Sequence, residues 1–295
     1  MDLAYLRAHP EHIPAFLLHQ RIRETPVSGG SICCAQRLTL DDGNSVFAKT
    51  LADAPDGFFA AEEAGLRWLR AAGAPVPQVI TAQPKVLVLE WIDQAPPGAP
   101  AAERLGRDLA GMHRAGAQTF GAQTFGAPAP GFIGTLPLDN TGSAGPWPEW
   151  FAERRLEPYL RLSADRGALS PADVAVVSRV LDQITDRAGA AGAEPPAPVH
   201  GDLWPGNLVW ATDRVWLVDP AAHGGHRETD LATLGLFGGA PLLDRILAGY
   251  QEVWPLADGW RTRVPLHQLH LLLVHTALFG AGYRDAVLAA ARAIG

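Results

Sequence analysis

Cysteine and lysine are almost missing from this chain. Of 295 residues only Cys33 and Cys34 are cysteines, and they are adjacent. Neighbouring cysteines are poorly placed to bridge, which excludes a disulfide framework. The start, Met1-Asp2-Leu3-Ala4-Tyr5-Leu6-Arg7, carries an early aspartate and no apolar core of a cleavable signal. The expectation is a reducing, cytoplasmic setting. The longest apolar segment, Leu271 to Gly282, contains His275 and is too short to span a bilayer, so no membrane partner is expected. There is no basic run. With a formal net charge of −7 and scattered cations, no nucleic-acid face is expected either. The only lysines are Lys49 and Lys85; every other Lys/Arg cation is an arginine.

What is present is concentrated in His200-Gly201-Asp202-Leu203-Trp204-Pro205-Gly206-Asn207 and in Leu217-Val218-Asp219-Pro220. Asp202 precedes Asn207 by five residues, and Asp219 follows twelve later. That spacing suits one carboxylate beside an attacking hydroxyl, with an amide and a second carboxylate on a magnesium ion. It is the layout of phosphoryl transfer in a two-lobed kinase. Asp202 is the candidate general base, and His200 braces its loop. Asn207 and Asp219 are the candidate metal ligands, since magnesium takes few hard oxygen donors from protein and leaves the rest to phosphates and water. Alone, His-x-Asp is a weak signal; the three positions together carry the reading.

The remaining parts are sought upstream. Ser31–Leu40, the turn Asp41-Asp42-Gly43-Asn44 and Ser45–Thr50 read as a hairpin. Lys49 on its second strand is the compact cation for the α- and β-phosphates, a task ill-suited to arginine's planar fork. Phe58–Ala72 reads as a helix with Phe59, Leu66 and Leu69 on one side; Glu62 is the expected partner of Lys49, with Glu63 the next candidate. Ser28-Gly29-Gly30-Ser31 is a candidate phosphate-covering loop, in which Gly29, Gly30 and Ser31 let backbone N–H groups approach oxygen. Val79–Ala82 and Val86–Ile92 read as strands, the second presenting backbone groups of Glu90 and Ile92 to an adenine edge.

Residues 3–24 read as mainly helical, split by Pro10 and Pro14, and Thr25–Gly30 as a loop. Gln94–Pro100 reads as a linker. Helices are expected over Ala101–Ala115, Trp150–Leu162, Pro171–Ala188, Ala232–Leu236, Pro241–Val253, Pro265–Gly280 and Arg284–Ile294. Residues 116–146 read as an insert whose direct repeat, Gly116–Gly121 and Ala122–Gly126, suggests duplication in a surface loop. The expected class is α+β: a β-rich nucleotide-binding lobe over residues 1–92 and a larger, mostly helical lobe over 93–295 for catalysis and substrate binding. On the substrate side, Trp204 is placed to stack on a sugar or to fill core. Within Leu271–Leu278, His275 is the only polar side chain besides Thr276, placed to fill core or to face a pocket.

These motifs resemble the fructosamine/ketosamine kinase family, part of the aminoglycoside-phosphotransferase-like, protein-kinase-like superfamily. The likeness runs through Gly29-Gly30-Ser31-Ile32, Phe47-Ala48-Lys49-Thr50, Leu87–Ile92, Gly131-Phe132-Ile133-Gly134, Trp150–Leu156 and His200–Trp204. Its most specific pieces are Asp219-Pro220-Ala221, Gly225–Ala232 and Leu236-Phe237-Gly238-Gly239, with Gln268–His275 and Leu278–Tyr283 beyond. The resemblance implies ATP and Mg2+ as cofactors and phosphorylation of a ketosamine at the sugar's 3-hydroxyl. The product then falls apart, which repairs glycated amines. The expected partner is a small-molecule or protein-bound ketosamine, and the chain a monomer or weak dimer. The likeness favours a pocket role for His275. Arg227 is a candidate substrate contact, or with Glu228 holds the loop after Asp219. Other readings are an aminoglycoside or choline-type kinase, and a non-catalytic kinase-fold binding protein. A protein kinase is disfavoured, because a helix begins soon after Asp219 and leaves no activation segment.

Overall fold

Strands β1 (Arg23–Pro26), β2 (Cys34–Thr39), β3 (Ser45–Thr50), β4 (Val79–Gln83) and β5 (Val86–Glu90) pair in the order β1-β2-β3-β5-β4, every neighbour antiparallel. The structure is a computed structural model describing residues 23–27, 32–122 and 131–295. The glycine loop Ser28–Ser31, with the candidates Gly29, Gly30 and Ser31, lies outside the described residues, as does the expected N-terminal helix up to position 22. Arg23 and Glu24, assigned to that helix, instead open β1, and Thr25 and Pro26 continue it rather than forming a loop. β1 is an edge strand exposed along its whole length, so it carries no apolar alternation by which to be recognised.

Strand alternation divides the residues of β3 between two faces. Val46 and Ala48 pack with Leu38, Leu40, Ile80 and Val88 on one side. Phe47 and Lys49 face a cavity on the other. Helix α1 (Phe58–Ala71) then buries Phe59, Glu62, Leu66 and Leu69, whose three- and four-residue steps keep them on one face. That periodicity separates the two candidate glutamates. Glu62 is buried with Phe59, whereas Glu63 turns outward to Arg67 at 2.7 Å.

Beyond β5 the chain is dominated by helices: α2 (Ala99–Arg114), α3 (Trp147–Phe151), α4 (Glu157–Asp165), α5 (Pro171–Asp182), α6 (Ile184–Ala188), α7 (Arg227–Thr233), α8 (Leu243–Val253), α9 (Trp260–Phe279) and α10 (Arg284–Ile294). α2 starts two residues inside the expected linker, with Pro100 in its first turn, where a missing N–H costs nothing. α9 begins at Trp260 and carries Pro265 within it, five residues earlier than its proline suggested. It runs through the larger core, burying Leu266, Leu269, Leu271, Leu272, Leu273 and Val274. A π-helical turn, Ala152–Leu156, joins α3 to α4.

The segment read as a surface insert is partly built into the fold. It contains the hairpin β6 (Gly131–Ile133) and β7 (Leu136–Leu138). Phe120, in the first copy of the repeat, is buried and stacks on Trp150 at 5.6 Å, while its backbone bridges to Ser143. Composition hid this, because small residues surround the rings, Phe120 and Phe132, that pack the segment against Trp150 and Phe58. Two further short ladders frame the central motif: β8 (Ala197–Val199) with β11 (His223–Gly225), and β9 (Leu208–Trp210) with β10 (Val215–Leu217).

Candidate active site

The motif loop begins where β8 ends, and α7 holds it. Asp230, fully buried, accepts from the backbone N–H groups of His200 at 2.7 Å and Gly201 at 3.0 Å. Its Oδ2 also meets His113 Nε2 at 3.2 Å. Its carboxylate thus reaches beyond its own helix and fixes the loop thirty residues upstream. Gly201 has φ +80°, and a Cβ there would run into the Ala221 carbonyl, so only glycine fits. His200 Nε2 contacts Val218 O at 2.9 Å, tying the loop to the residue before Asp219. Burial depresses the pKa of His200 despite Asp230, which favours a neutral bracing imidazole.

The 3-10 turn Pro205–Asn207 brings Asn207 back onto Asp202. Asn207 Nδ2 donates to the Asp202 carbonyl at 2.7 Å and to its Oδ2 at 3.1 Å. Both amide hydrogens are thereby used, and Oδ1 is the atom left for a cation. Asp202 Oδ1 is buried and has no hydrogen-bond partner. Burial pushes this carboxyl up to about 8, helped by Asp219 and opposed by the Asn207 bond. An unpartnered carboxylate oxygen in a dry site is a proton acceptor awaiting a donor.

Lys49 closes the arrangement from the sheet. Its Nζ donates to Glu62 Oε2 at 2.9 Å and Oε1 at 3.1 Å, and to Asp219 Oδ1 at 3.0 Å. Burial opposes the lysine's charge, but Asp219 and Glu62 outweigh it and hold its pKa above the usual lysine range. Asp219 has φ 56°, a left-handed conformation unusual for a non-glycine residue. Such strain persists where surrounding structure enforces it, commonly at functional sites.

Lys49, Glu62, Asp202, Asn207 and Asp219 line one cavity of about 560 Å³, together with Glu90, Ile92, Trp204 and His275. Phe47, Leu89, Leu208 and Val218 supply apolar lining. The N–H of Glu90 is spent on Gln78 O at 3.0 Å and its Oε1 on Gln78 N at 2.9 Å, so neither is available to a base edge. Arg227 is placed elsewhere. It is buried, forks onto Glu194 at 2.7 and 2.8 Å, lies 4.0 Å from the Trp254 ring centre, and does not line the cavity. The expected substrate contact is thus corrected: its guanidinium clamps α7 to the loop before β8. Sequence reasoning also passed over Phe237, Phe279 and Tyr283, which line the cavity beside His275. The four-residue steps from His275 to Phe279 to Tyr283 were the available signal.

Among the described residues, His226, Glu228 and His267 bring possible metal-ligand atoms within 4.8 Å of one another. They form a closed network rather than an open cation site. Arg263 donates to both Glu228 oxygens, at 2.8 and 2.6 Å. His226 accepts from Glu228 N at 3.2 Å, and its Nε2 meets Ala191 O at 2.9 Å.

A five-stranded sheet over a helical body, with a lysine–glutamate pair facing an aspartate–asparagine–aspartate set, defines a protein-kinase-like phosphotransferase. Residues 14–294 match the fructosamine kinase family, and the chain belongs to it. A probable ketoamine kinase from Thermus thermophilus is 36% identical over 263 residues, covering 89% of this chain and 90% of the relative. A solved structure from Thermobifida fusca that carries a fructosamine-3-kinase assignment has 50% identity and a TM-score of 0.86, covering 93% of this chain and 94% of its own. A choline/ethanolamine kinase family protein from Mesorhizobium loti shares the fold at 19% identity and a TM-score of 0.64. This chain is accordingly an ATP-dependent phosphotransferase, a kinase of ketosamines. No helix among the described residues is long and apolar enough to cross a membrane.

Proposed function

We propose that the chain transfers the γ-phosphoryl group of ATP to the 3-hydroxyl of a ketosamine, free or protein-bound, as a step in repairing glycated amines. The observation that carries this reading is the meeting of Lys49 Nζ and Asp219 Oδ1 at 3.0 Å, across 170 residues, in the cavity that Asp202 and Asn207 also line. Residues 1–92 serve as the nucleotide lobe and 93–295 as the catalytic and substrate lobe. Lys49, steadied by Glu62, holds the α- and β-phosphates. The Ile92 backbone and the carbonyl of Glu90 meet the adenine edge, while Gly29, Gly30 and Ser31 cover the phosphates.

Asp202 takes the proton of the sugar hydroxyl as the new O–P bond forms and the bond to the departing ADP oxygen breaks. Asn207 Oδ1 and the Asp219 carboxylate are hard donors that suit Mg2+, which when bound neutralises charge on the phosphates. Trp204 and His275 bound the sugar.

The test presents fructosyl-, ribulosyl- and erythrulosyl-amines, aminoglycosides and choline with Mg-ATP, and locates the product phosphate by NMR. Turnover of ketosamines with phosphate on O3 is expected. Preferential turnover of aminoglycosides or choline would defeat the reading, and phosphate on another hydroxyl would defeat its regiochemistry.

A further inference from the structure

One wall of the cavity is made of rings. Trp204 comes from the motif loop, Phe237 follows α7, His275 and Phe279 lie on α9, and Tyr283 precedes α10. The Phe237 ring centre lies 4.6 Å from His275 and 5.7 Å from both Trp204 and Tyr283. Phe279 is 5.6 Å from His275 and 6.1 Å from Tyr283. Rings this close touch one another, so they form a continuous surface rather than a hollow.

That surface is left open. Phe237 is 40% and Phe279 46% exposed, two of the three large hydrophobics exposed among the described residues. Phe237 also adopts φ 52°, a conformation that bulky residues avoid. Strain and exposure coincide on a ring that faces the cavity.

The charges around it limit what the wall can take. The cavity's carboxylates are Glu62, Glu90, Asp202 and Asp219. Glu62 and Asp219 are paired with Lys49, Glu90 accepts from Gln78, and Asp202 is held by Asn207. Among the described residues, Lys49 is the only lysine or arginine lining the cavity. Burial lowers the pKa of His275, and its Nδ1 contacts Leu271 O at 2.9 Å, so the wall carries no histidine charge near neutral pH. A ketosamine brings a secondary amine that is protonated at neutral pH; the one buried lining carboxylate oxygen without a partner among the described residues, Asp202 Oδ1, is engaged by the reacting hydroxyl, and the other lining carboxylates already hold a donor. Aromatic faces attract such a cation without a counter-ion.

We infer that Phe237 and Phe279, backed by Tyr283 and His275, bind the substrate's ammonium group and so select amine-linked sugars over uncharged ones. The inference rests on the ketosamine reading above. The experiment compares a 1-alkylamino-1-deoxyfructose with its 1-O-alkyl ether, in which oxygen replaces the charged nitrogen. Phe237→Leu and Phe279→Leu keep bulk and apolarity while removing the ring face. Each single variant is expected to raise KM for the amine about threefold, and the double variant about tenfold, with kcat, the KM for ATP and the ether's KM little changed. A parallel rise for amine and ether, or no change for either, would overturn the ammonium site while leaving ketosamine kinase activity standing. If the unaltered protein turns over no ketosamine, both readings fall.

Discussion

At the scale of the residue, Asp202 and Asp219 are both carboxylates, yet the fold treats them in opposite ways. Asp202 is half-buried, with its Oδ1 fully covered and unpartnered, whereas Asp219 has a side chain 38% exposed and paired with Lys49. The first is shaped to take a proton and the second to hold charge. Asp202→Asn preserves size and removes the acceptor. It is expected to lower kcat by about a thousandfold while shifting ATP affinity by less than about threefold, read from steady-state kinetics and an ATP titration. Equal losses in both would move Asp202 out of the base role. Asp219→Ala should weaken Mg-ATP binding about tenfold or more as well as slowing turnover, because a cation ligand acts on the bound nucleotide and on the transition state alike. Calorimetry at fixed magnesium decides it; unchanged affinity would remove Asp219 from the metal site.

At the scale of the element, α2 and α8 cross with their backbones in close contact. A Cβ built on Gly106 would collide with the Ile246 carbonyl and the Tyr250 N, and one on Gly249 with Glu103 backbone. Gly111, on the same helix as Gly106, faces open space. Gly106→Ala should therefore cost roughly 3 kcal/mol, since two backbones must part. Gly111→Ala should stabilise by about 0.5–1 kcal/mol by removing a flexible residue from a helix interior. Denaturant midpoints of the two variants should move in opposite directions; movement in the same direction would mean that helix propensity, not the crossing, governs both. Elements of this kind were legible in the sequence as far as local pattern reaches. The period of α1 put Glu62 on the face of Phe59 and Leu66, and the Asp202–Asn207–Asp219 spacing folded into one cavity, as its residue types suggested. Contacts that no period encodes were not legible. β1 has no buried face, Asp230 acts on a loop rather than on its own helix, and Arg227 pairs with Glu194 through tertiary packing alone. The wall of rings was legible only in part: the four-residue step from His275 to Phe279 marks one side of it, but Trp204 and Phe237 reach it from two separate loops that no period links.

At the scale of the whole molecule, the larger body is stitched by histidines that the fold keeps uncharged. Burial pushes His226 down to about 4, aided by His267, and His270 down to about 3, aided by Arg155. His223 falls well below the ordinary histidine range for the same leading reason, burial, with Arg155 adding to it. In an unfolded chain these imidazoles titrate near 6.5. Below about that pH the unfolded chain takes up protons that the folded one refuses, so stability is lost as the solution is acidified. Each such group contributes a slope of about 1.4 kcal/mol per pH unit once the unfolded form is protonated and the folded form is not. Glu228 adds a second window. Burial favours its protonated form, but the Arg263 fork and His267 prevail and hold it down to about 2. Its stabilising contribution is present above about pH 4.5, the ordinary range of an unfolded glutamate, and disappears as pH falls toward 2. Both windows act in one direction, so acid destabilisation should begin near pH 6.5, well before the carboxylates alone would cause it. Urea unfolding between pH 7.5 and 4.5 measures the slope. His270→Gln offers the decisive comparison: whatever the substitution costs at pH 7.5, the variant's slope between pH 6 and 4.5 should be shallower by about one proton's worth. A stability flat from pH 7 to 5, or a variant slope equal to the parent's, would show that these buried imidazoles do not set the acid limit.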